Sequence, residues 1–547
     1  MGMASWVTRC RRLLNQDLGS RRTETLLVLL LLVVFTAMEF VSLEIPGMLF
    51  DVLHMELLTL DIMKLLDKAS LWELVRTGLL PAGQNVYHGA LISYLLLPFF
   101  SLFGPHWLLV RAWPVAWAVF SLLLSYLFVR DFFDKKTAFL AILFLILSAP
   151  YVMGIKTISD VSIMHCFAMG ALLCMSRYIN TRRPSFLAAG MFLLGLGLCT
   201  RLWFAWLVGA LAATAVFFSL EIVPWLRRLP QRLSVLAVLA VGSFLAGAAL
   251  NIYRDVSSLF AAEHLIFAGL SPSNYFGPAR YFENIFLNIR ELVSLLHGRE
   301  FFAFQFGVES ASFSNPLTSV LFGVSLAWGL LLPFFREAPR RKQGFFVSLL
   351  FLFMFIQTPV SPSSVHAVHL LFLYPLVPVI LASTFTGFFD ICRRAKLLPL
   401  AVIGLLILDL SYDVRFLGRY FHYQSTVGGV KRHSDQIYHL ADWFRAGRVS
   451  ARNTFFLEHN TMSTLRFLLP DLPLNTPCVD LLSPTVRRRA ARNTPPMTFI
   501  FNHHGLWSDK LPDSWRNFLS AAGRTAVSEK QFCDADGTPV FDIYTLR

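Results

Sequence analysis

Met48-Leu-Phe-Asp-Val-Leu-His-Met-Glu56, followed by Asn85-Val-Tyr-His-Gly-Ala-Leu-Ile-Ser-Tyr-Leu-Leu-Leu-Pro-Phe-Phe-Ser-Leu-Phe-Gly104, is the stretch on which this chain's reading turns. Its first piece gathers Asp51, His54 and Glu56 directly after an apolar run that ends near Leu43. Ionisable groups beside a bilayer are costly to bury, so such a cluster marks a candidate functional site by default. What it can do depends on which side of a membrane it occupies.

That a membrane is involved follows from composition. The chain has 547 residues, 55% of them hydrophobic, with a mean hydropathy of +0.57. Only 15% are charged, against roughly a quarter in soluble domains. Many apolar runs approach the roughly 20 residues needed to cross a bilayer. The basic start followed by Leu26–Met38 resembles a signal peptide, but the apolar run continues to Leu43 with no small-x-small cleavage site. It reads as a retained first span.

The net charge of +14 does not point to nucleic acid, because the basic residues are divided among short loops. They form clusters at Arg9/Arg11/Arg12/Arg21/Arg22, Arg130/Lys135/Lys136, Arg177/Arg182/Arg183, Arg227/Arg228/Arg232, Arg336/Arg340/Arg341/Lys342 and Arg393/Arg394/Lys396. Short basic loops between apolar runs are cytoplasmic by the positive-inside rule. One threading satisfies all of them, with spans at 24–43, 110–129, 138–154, 161–177, 185–200, 202–220, 235–252, 316–335, 345–358, 366–387 and 398–411. The expected architecture is a polytopic α-helical membrane protein of about eleven spans, within a range of ten to thirteen. Its N-terminus is cytoplasmic and its C-terminus extracytoplasmic, in the cell (inner or plasma) membrane.

This threading places 44–109 and 253–315 outside as large loops, and 412–547 outside as a separate domain after the 1–411 transmembrane domain. Asp51, His54, Glu56, Tyr87, His88, Lys156, Asp160, Arg201 and His366 then lie on one face. Within 44–109, Leu57–Leu66 and Leu71–Leu80 have apolar residues at helical spacing and read as interfacial amphipathic helices. Ile92–Phe103 is short, contains Pro98 and reads as re-entrant or interfacial. Residues 412–547 alternate β-type runs (Thr454–Leu457, Met497–Phe501, Val540–Tyr544) with helical segments (Ser434–Phe444, Trp515–Ala522), which suggests a small α/β domain. Cys478 and Cys533 share that domain, either as a disulfide or as two core thiols. Asp409, in the last span, has either a partner within the membrane or a place near its outer interface.

Asp51, His54 and Glu56 supply three potential metal ligands, although their spacing matches no recognised metal motif. A divalent metal is left open, and no cofactor is required. Nothing resembles a phosphate-binding Gly-x-x-x-x-Gly-Lys-Ser/Thr loop or a dinucleotide glycine fingerprint. An enzyme on the outer face has neither ATP nor nucleotide sugars, so an activated substrate must arrive carried by a lipid.

At this point the chain resembles a family. Tyr87-His-Gly-Ala-Leu-Ile-Ser-Tyr through Phe103-Gly-Pro-His-Trp-Leu-Leu-Val-Arg111 is similar to the loop, Phe-Gly and Arg segment of the protein O-mannosyltransferase superfamily. That superfamily includes the bacterial aminoarabinose transferases and other family 39-like glycosyltransferases. Asp51 stands where those enzymes carry a first-loop acid, although the family's adjacent Glu is here Val52, with Glu56 the next acid. Ile158-Ser-Asp160-Val resembles their second acidic segment, and Gly195-Leu-Gly-Leu-Cys-Thr-Arg201 their Thr-Lys/Arg turn. Leu373-Tyr-Pro-Leu-Val-Pro-Val-Ile-Leu-Ala382 resembles a late Tyr-Pro segment, though the basic residue common before it is replaced by Leu371, with His366 and His369 nearby.

The resemblance implies a GT-C-like fold and transfer of a sugar from a polyprenyl-phosphate donor to an acceptor glycolipid, polysaccharide or protein. Asp51 would be the general base, with Glu56 second and Asp160 a partner. Lys156 and Arg201 would stabilise the leaving phosphate, and Tyr87, His88 and His366 would bind sugar or phosphate. The alternative is a transporter or flippase of a lipid-linked saccharide, which should show broken helices and polar groups at mid-membrane.

Overall fold

The structure, a computed structural model, describes residues 21–41, 43–45, 47–48, 50–83, 88–157, 159–218, 230–261, 278–306, 314–335, 340–360, 366–391, 398–430, 433–448, 453–457, 459–472, 497–504, 511–522 and 524–546. Helix α1 (Arg21–Phe40) precedes the first loop, which holds α2 (Phe50–Leu66), α3 (Leu71–Arg76) and α4 (Leu91–Phe103). Then come α5 (Trp107–Phe132), α6 (Lys135–Leu147), α7 (Ala149–Thr157), α8 (Ser159–Thr181), α9 (Pro184–Leu198), α10 (Phe204–Phe217), α11 (Pro230–Gly247) and α12 (Ala249–Ala261). The second large loop contains α13 (Pro278–His297) and α14 (Arg299–Phe306). The helical region closes with α15 (Pro316–Leu331), α16 (Arg341–Gln357), α17 (Ala367–Leu370), α18 (Leu376–Ile391) and α19 (Leu398–Val427).

In its described residues every candidate span overlaps one of these helices or a broken pair, but 185–200, 202–220 and 398–411 fall on helices that are not among those long and apolar enough to cross. Among the described residues five helices are long and apolar enough to cross a membrane, and eight if each of three bent pairs is one span. The bends are 58° between α6 and α7, 64° between α11 and α12, and 54° before α18. Ser148 marks the first of them: its hydroxyl accepts from the Tyr151 N–H at 3.3 Å and donates to the Tyr374 phenol oxygen at 2.6 Å. A serine in that position satisfies an orphan donor of the new helix. Gly195 and Gly247 let α9 and α11 cross closely, since a Cβ on either would run into the other helix's backbone.

Four consecutive elements share one polarity. α1 carries Glu24 near its start and Glu39 near its end, and α5 carries Arg111 and Arg130. The α6–α7 pair runs from Lys135 to Lys156, and α8 from Asp160 to Arg177. At 1.5 Å per residue the two members lie roughly 22–29 Å apart in α1, α5 and α8, close to a bilayer core. At one end Lys135 and Arg130 pair with Glu24 (2.6 and 3.4 Å), and Arg177 pairs with Asp131 (3.0 Å). Arg340 pairs with Asp134 there too. Glu39, Arg111, Lys156 and Asp160 occupy the other end. The basic loops and the candidate site are therefore on opposite faces.

In the first loop α2 starts at Phe50, earlier than the Leu57 expected from apolar spacing, and so takes in Asp51, His54 and Glu56. It packs against α4 on one side and a C-terminal helix on the other. α3 is held by a capping box between Ser70 and Glu73. α19 runs unbroken through residue 411 to Val427, because nothing in Ser411–Arg415 breaks a helix. Asp409 has partners: its carboxylate accepts from Thr318 Oγ1 at 2.8 Å and Asn315 Nδ2 at 3.3 Å, and Asp413 from the same Asn315 at 2.8 Å.

The C-terminal region comprises α20 (Gln436–Arg445), β1 (Thr454–Phe456), α21 (His459–Leu468), β2 (Thr498–Asn502), α22 (Leu511–Ala522), β3 (Ala526–Cys533) and β4 (Pro539–Leu546). The sheet order is β1-β2-β4-β3, with β1 parallel to β2 and the other pairs antiparallel. β3 was not anticipated, since Ser528-Glu-Lys-Gln531 is exposed and lacks an apolar alternation. This region sits on the first loop: Arg466 pairs with Asp61 at 2.7 Å, and the Phe100 and Phe467 rings lie 6.1 Å apart. Cys533 is a free thiol, and Cys478 lies outside the described residues.

Candidate active site

Leu53, Glu56 and Leu60 recur at i, i+3 and i+7 on α2, one face of a helix, and all are buried. A leucine belongs there and a carboxylate does not. Glu56 is 1% exposed, and its Oε2 has no hydrogen-bond partner among the described residues. Burial pushes its carboxyl up to about 8; the charge of Asp160 adds to the rise and that of Arg111 opposes it. A buried carboxyl that titrates near neutrality in such company is a candidate proton acceptor.

Asp160, in the first turn of α8, is ion-paired with Arg201, their side chains 4% and 11% exposed. The Arg201 guanidinium lies 4.5 Å over the Trp203 ring, and Trp203 is 4.3 Å from the His369 ring. The first loop is stitched to this turn through its backbone. His88 and Arg201 form an antiparallel bridge, and the Gly89 N–H donates to the Thr200 carbonyl at 2.9 Å. A Cβ on Gly89 would run into the Cys199 carbonyl. Gly89→Ala is therefore expected to lose roughly 1–3 kcal/mol, as overpacking does, read as a lower Tm of the detergent-solubilised chain. An unchanged Tm would remove the stitch from the account of the site.

Lys156 reaches the same end because α7 bends away from α6. Its Nζ donates to the Val41 carbonyl at 2.7 Å and sits 5.4 Å from the Phe421 ring, and Glu39 is buried near the end of α1. The Lys156 carbonyl in turn accepts from Arg111 Nη1 at 2.8 Å. The cluster is thus Glu56 and the Asp160–Arg201 pair, flanked by Lys156, Arg111 and Glu39, with the His88 backbone alongside. Its cations suit an anionic group and its carboxylates suit proton transfer.

Of the residues singled out from sequence, Glu56, Asp160, Arg201, Lys156 and His88 are brought together. His366 is exposed at the start of α17, where its N–H donates to His369 Nδ1 at 3.1 Å; His369 is the one that meets Trp203. Asp51 and His54 lie in the first turns of α2, but their side chains, like all of Tyr87, fall outside the described residues. Among the described residues no three His, Cys, Asp or Glu side chains group to hold a metal. Sequence reasoning passed over Glu39 and Arg111. Each had a signal: Glu39 is an acid near the end of an apolar span, and Arg111 closes the family-like segment.

Comparison with known proteins agrees with this frame. Residues 87–246 match the family model for dolichyl-phosphate-mannose-protein mannosyltransferase. No curated protein sequence matches. Among solved structures, ArnT from Cupriavidus metallidurans bound to undecaprenyl phosphate is similar with a TM-score of 0.57 and 12% identity, covering 94% of this chain and 97% of that one. The apo state of ArnT gives 0.54 over the same shares, also at 12% identity. This integral membrane protein therefore has the GT-C fold seen in ArnT over nearly its whole length, and from 87 to 246 the sequence pattern of the dolichyl-phosphate-mannose-protein mannosyltransferases.

Proposed function

We propose that the protein is a membrane glycosyltransferase that moves a sugar from a polyprenyl-phosphate donor to an acceptor on the extracytoplasmic face. The observation that carries this reading is the buried, unpartnered Glu56 carboxylate beside the Asp160–Arg201 pair, at the end of the helices away from the basic loops. The solved ArnT structure with undecaprenyl phosphate, on the same fold, supports a lipid phosphate as the donor's carrier.

In this reading Glu56 takes the proton of the acceptor hydroxyl as its oxygen bonds to the sugar's anomeric carbon. The bond from that carbon to the phosphate oxygen breaks, and the electron pair leaves with the polyprenyl phosphate. Arg201 and Lys156 hold the developing charge, which is worth most in a site that excludes water. Asp160 keeps Arg201 in place, and the Val41 carbonyl holds the Lys156 ammonium. Asp51, in the first turn of the same helix, is the other acid in a position to act as base.

Three bent helix pairs would also suit a transporter, and Asp409 and Asp413 face Tyr374 at one of the bends; the Glu56 cluster at the helix ends favours the enzyme. Mass spectrometry of glycolipids and glycoproteins with and without the gene tests the reading, since loss of one sugar modification is expected and identical profiles would overturn it. Sidedness is tested separately. A reporter fused after Arg547 is expected to be active only outside the cytoplasm, and cytoplasmic activity would invert the threading.

A further inference from the structure

A cavity of about 590 Å³ opens away from the Glu56 cluster, between the first loop and the C-terminal region. Small-molecule sites fall at roughly 300–1,000 Å³ and favour such junctions. One wall is Glu44, with Trp107 at the start of α5; the other is the face of α20 that bears Asp435, Tyr438 and Asp442, with Phe467 of α21. The Trp107 and Tyr438 rings lie 6.1 Å apart.

The lining holds three carboxylates against one guanidinium, with the imidazoles of His106 and His439 beside them. Glu44, Asp435 and Asp442 are carboxylates, which only accept when ionised. The guanidinium in the lining, Arg445, is already engaged, donating to Asp442 at 2.5 Å and to the Leu468 carbonyl at 2.9 Å. His106 Nδ1 accepts from the Leu108 N–H at 3.2 Å, capping the start of α5. A phosphate would be repelled here, whereas the cations of the Glu56 cluster would attract it. Hydroxyl and ammonium donors meet carboxylates, and the apolar face of a sugar ring meets Trp107 and Tyr438, aromatics that combine a flat apolar surface with a polar edge. Tyr438 also faces Arg111, which sets the cavity's inner wall one side chain from the cluster.

We propose that this cavity is a saccharide subsite for the acceptor, taking a neutral or amine-bearing sugar and excluding the donor's phosphate. The inference rests on the glycosyltransferase reading. It divides the labour of the molecule: the helical region holds the donor, and the junction with the C-terminal region selects the acceptor.

The test uses the full chain in nanodiscs, titrated with chitobiose, glucosamine and inorganic phosphate, and followed by tryptophan fluorescence and saturation-transfer NMR. Saturable binding of the two sugars is expected, with none of phosphate at this site. The Asp435→Asn/Asp442→Asn pair is expected to weaken glucosamine binding at least fivefold, and Tyr438→Phe to weaken chitobiose, while Glu56→Gln leaves both unchanged. Absent sugar binding, binding indifferent to all the cavity variants, or displacement of bound sugar by phosphate would each overturn the subsite. Gel filtration and thermal melting confirm that each variant is folded, and the conservative Tyr438→Phe serves if the double variant is not. Glycan profiles separate the two levels. If only the subsite is wrong, Glu56→Gln abolishes the modification and the cavity variants do not; if the transferase reading is wrong, none of them changes the profile.

Discussion

Glu56→Gln is expected to cut sugar transfer by about 10²- to 10⁴-fold, the range that positioned general bases contribute, with donor binding retained. Gln keeps the shape of the side chain and removes the proton acceptor, so the loss falls on kcat and not on donor KM. The pH profile should agree. The Glu56 carboxyl is pushed up to about 8 by burial, so activity in the wild type should rise with pH through that value and level off above it.

Stability should move the other way. Between the ordinary carboxyl value of 4.5 and about 8, the folded state binds a proton that the unfolded state has lost. Stability is then lost as pH rises through that window, because ν_U − ν_N is negative. The wild-type Tm should accordingly fall more between pH 5 and pH 8 than that of Glu56→Gln. Asp51→Asn measured alongside distinguishes the two acids. Full activity in Glu56→Gln with loss in Asp51→Asn would move the base to Asp51.

Arg201→Gln is the second large effect, and it should appear first in stability. Removing one partner of a buried pair strands the other charge, at a cost of about 3–5 kcal/mol. Asp160 is only 4% exposed and would be left in that state. The double variant Arg201→Met/Asp160→Leu should regain most of the lost stability, since an apolar replacement of a buried pair is often neutral, yet transfer should not return. A single variant as stable as wild type would show that the pair is not desolvated in the membrane-embedded protein. Recovery of transfer in the double variant would remove both residues from the chemistry.

Much of the fold was legible because membrane folding follows local rules. Apolar length marked the helices, and short basic loops gave each one a polarity without any tertiary information. That polarity alone put Glu56, Asp160, Lys156 and Arg201 on one face, and the structure gathers them at one end of their helices. The three apolar β-type runs were legible from their composition. β3 was not, because its exposed face shows no alternation. α2 was read as an interfacial helix starting at Leu57. Its full length and its cover by α21 appear only once the C-terminal region is placed over the first loop, more than 400 residues along the chain.

The site divides along the same line. By itself the sequence determined which ionisable residues stand at the ends of apolar helices away from the basic loops, because the cost of burying a charge in lipid depends on residue type and depth. Which of those residues touch was decided only by tertiary structure. The Asp160–Arg201 pair, the Lys156 ammonium on the Val41 carbonyl, and the Oε2 of Glu56 left without a partner all depend on groups from distant helices converging. Short-range forces between groups on different elements leave no trace in spacing or composition. The acceptor-rich cavity belongs to the same class, since its walls come from two regions that are separate in sequence and meet only in the folded chain.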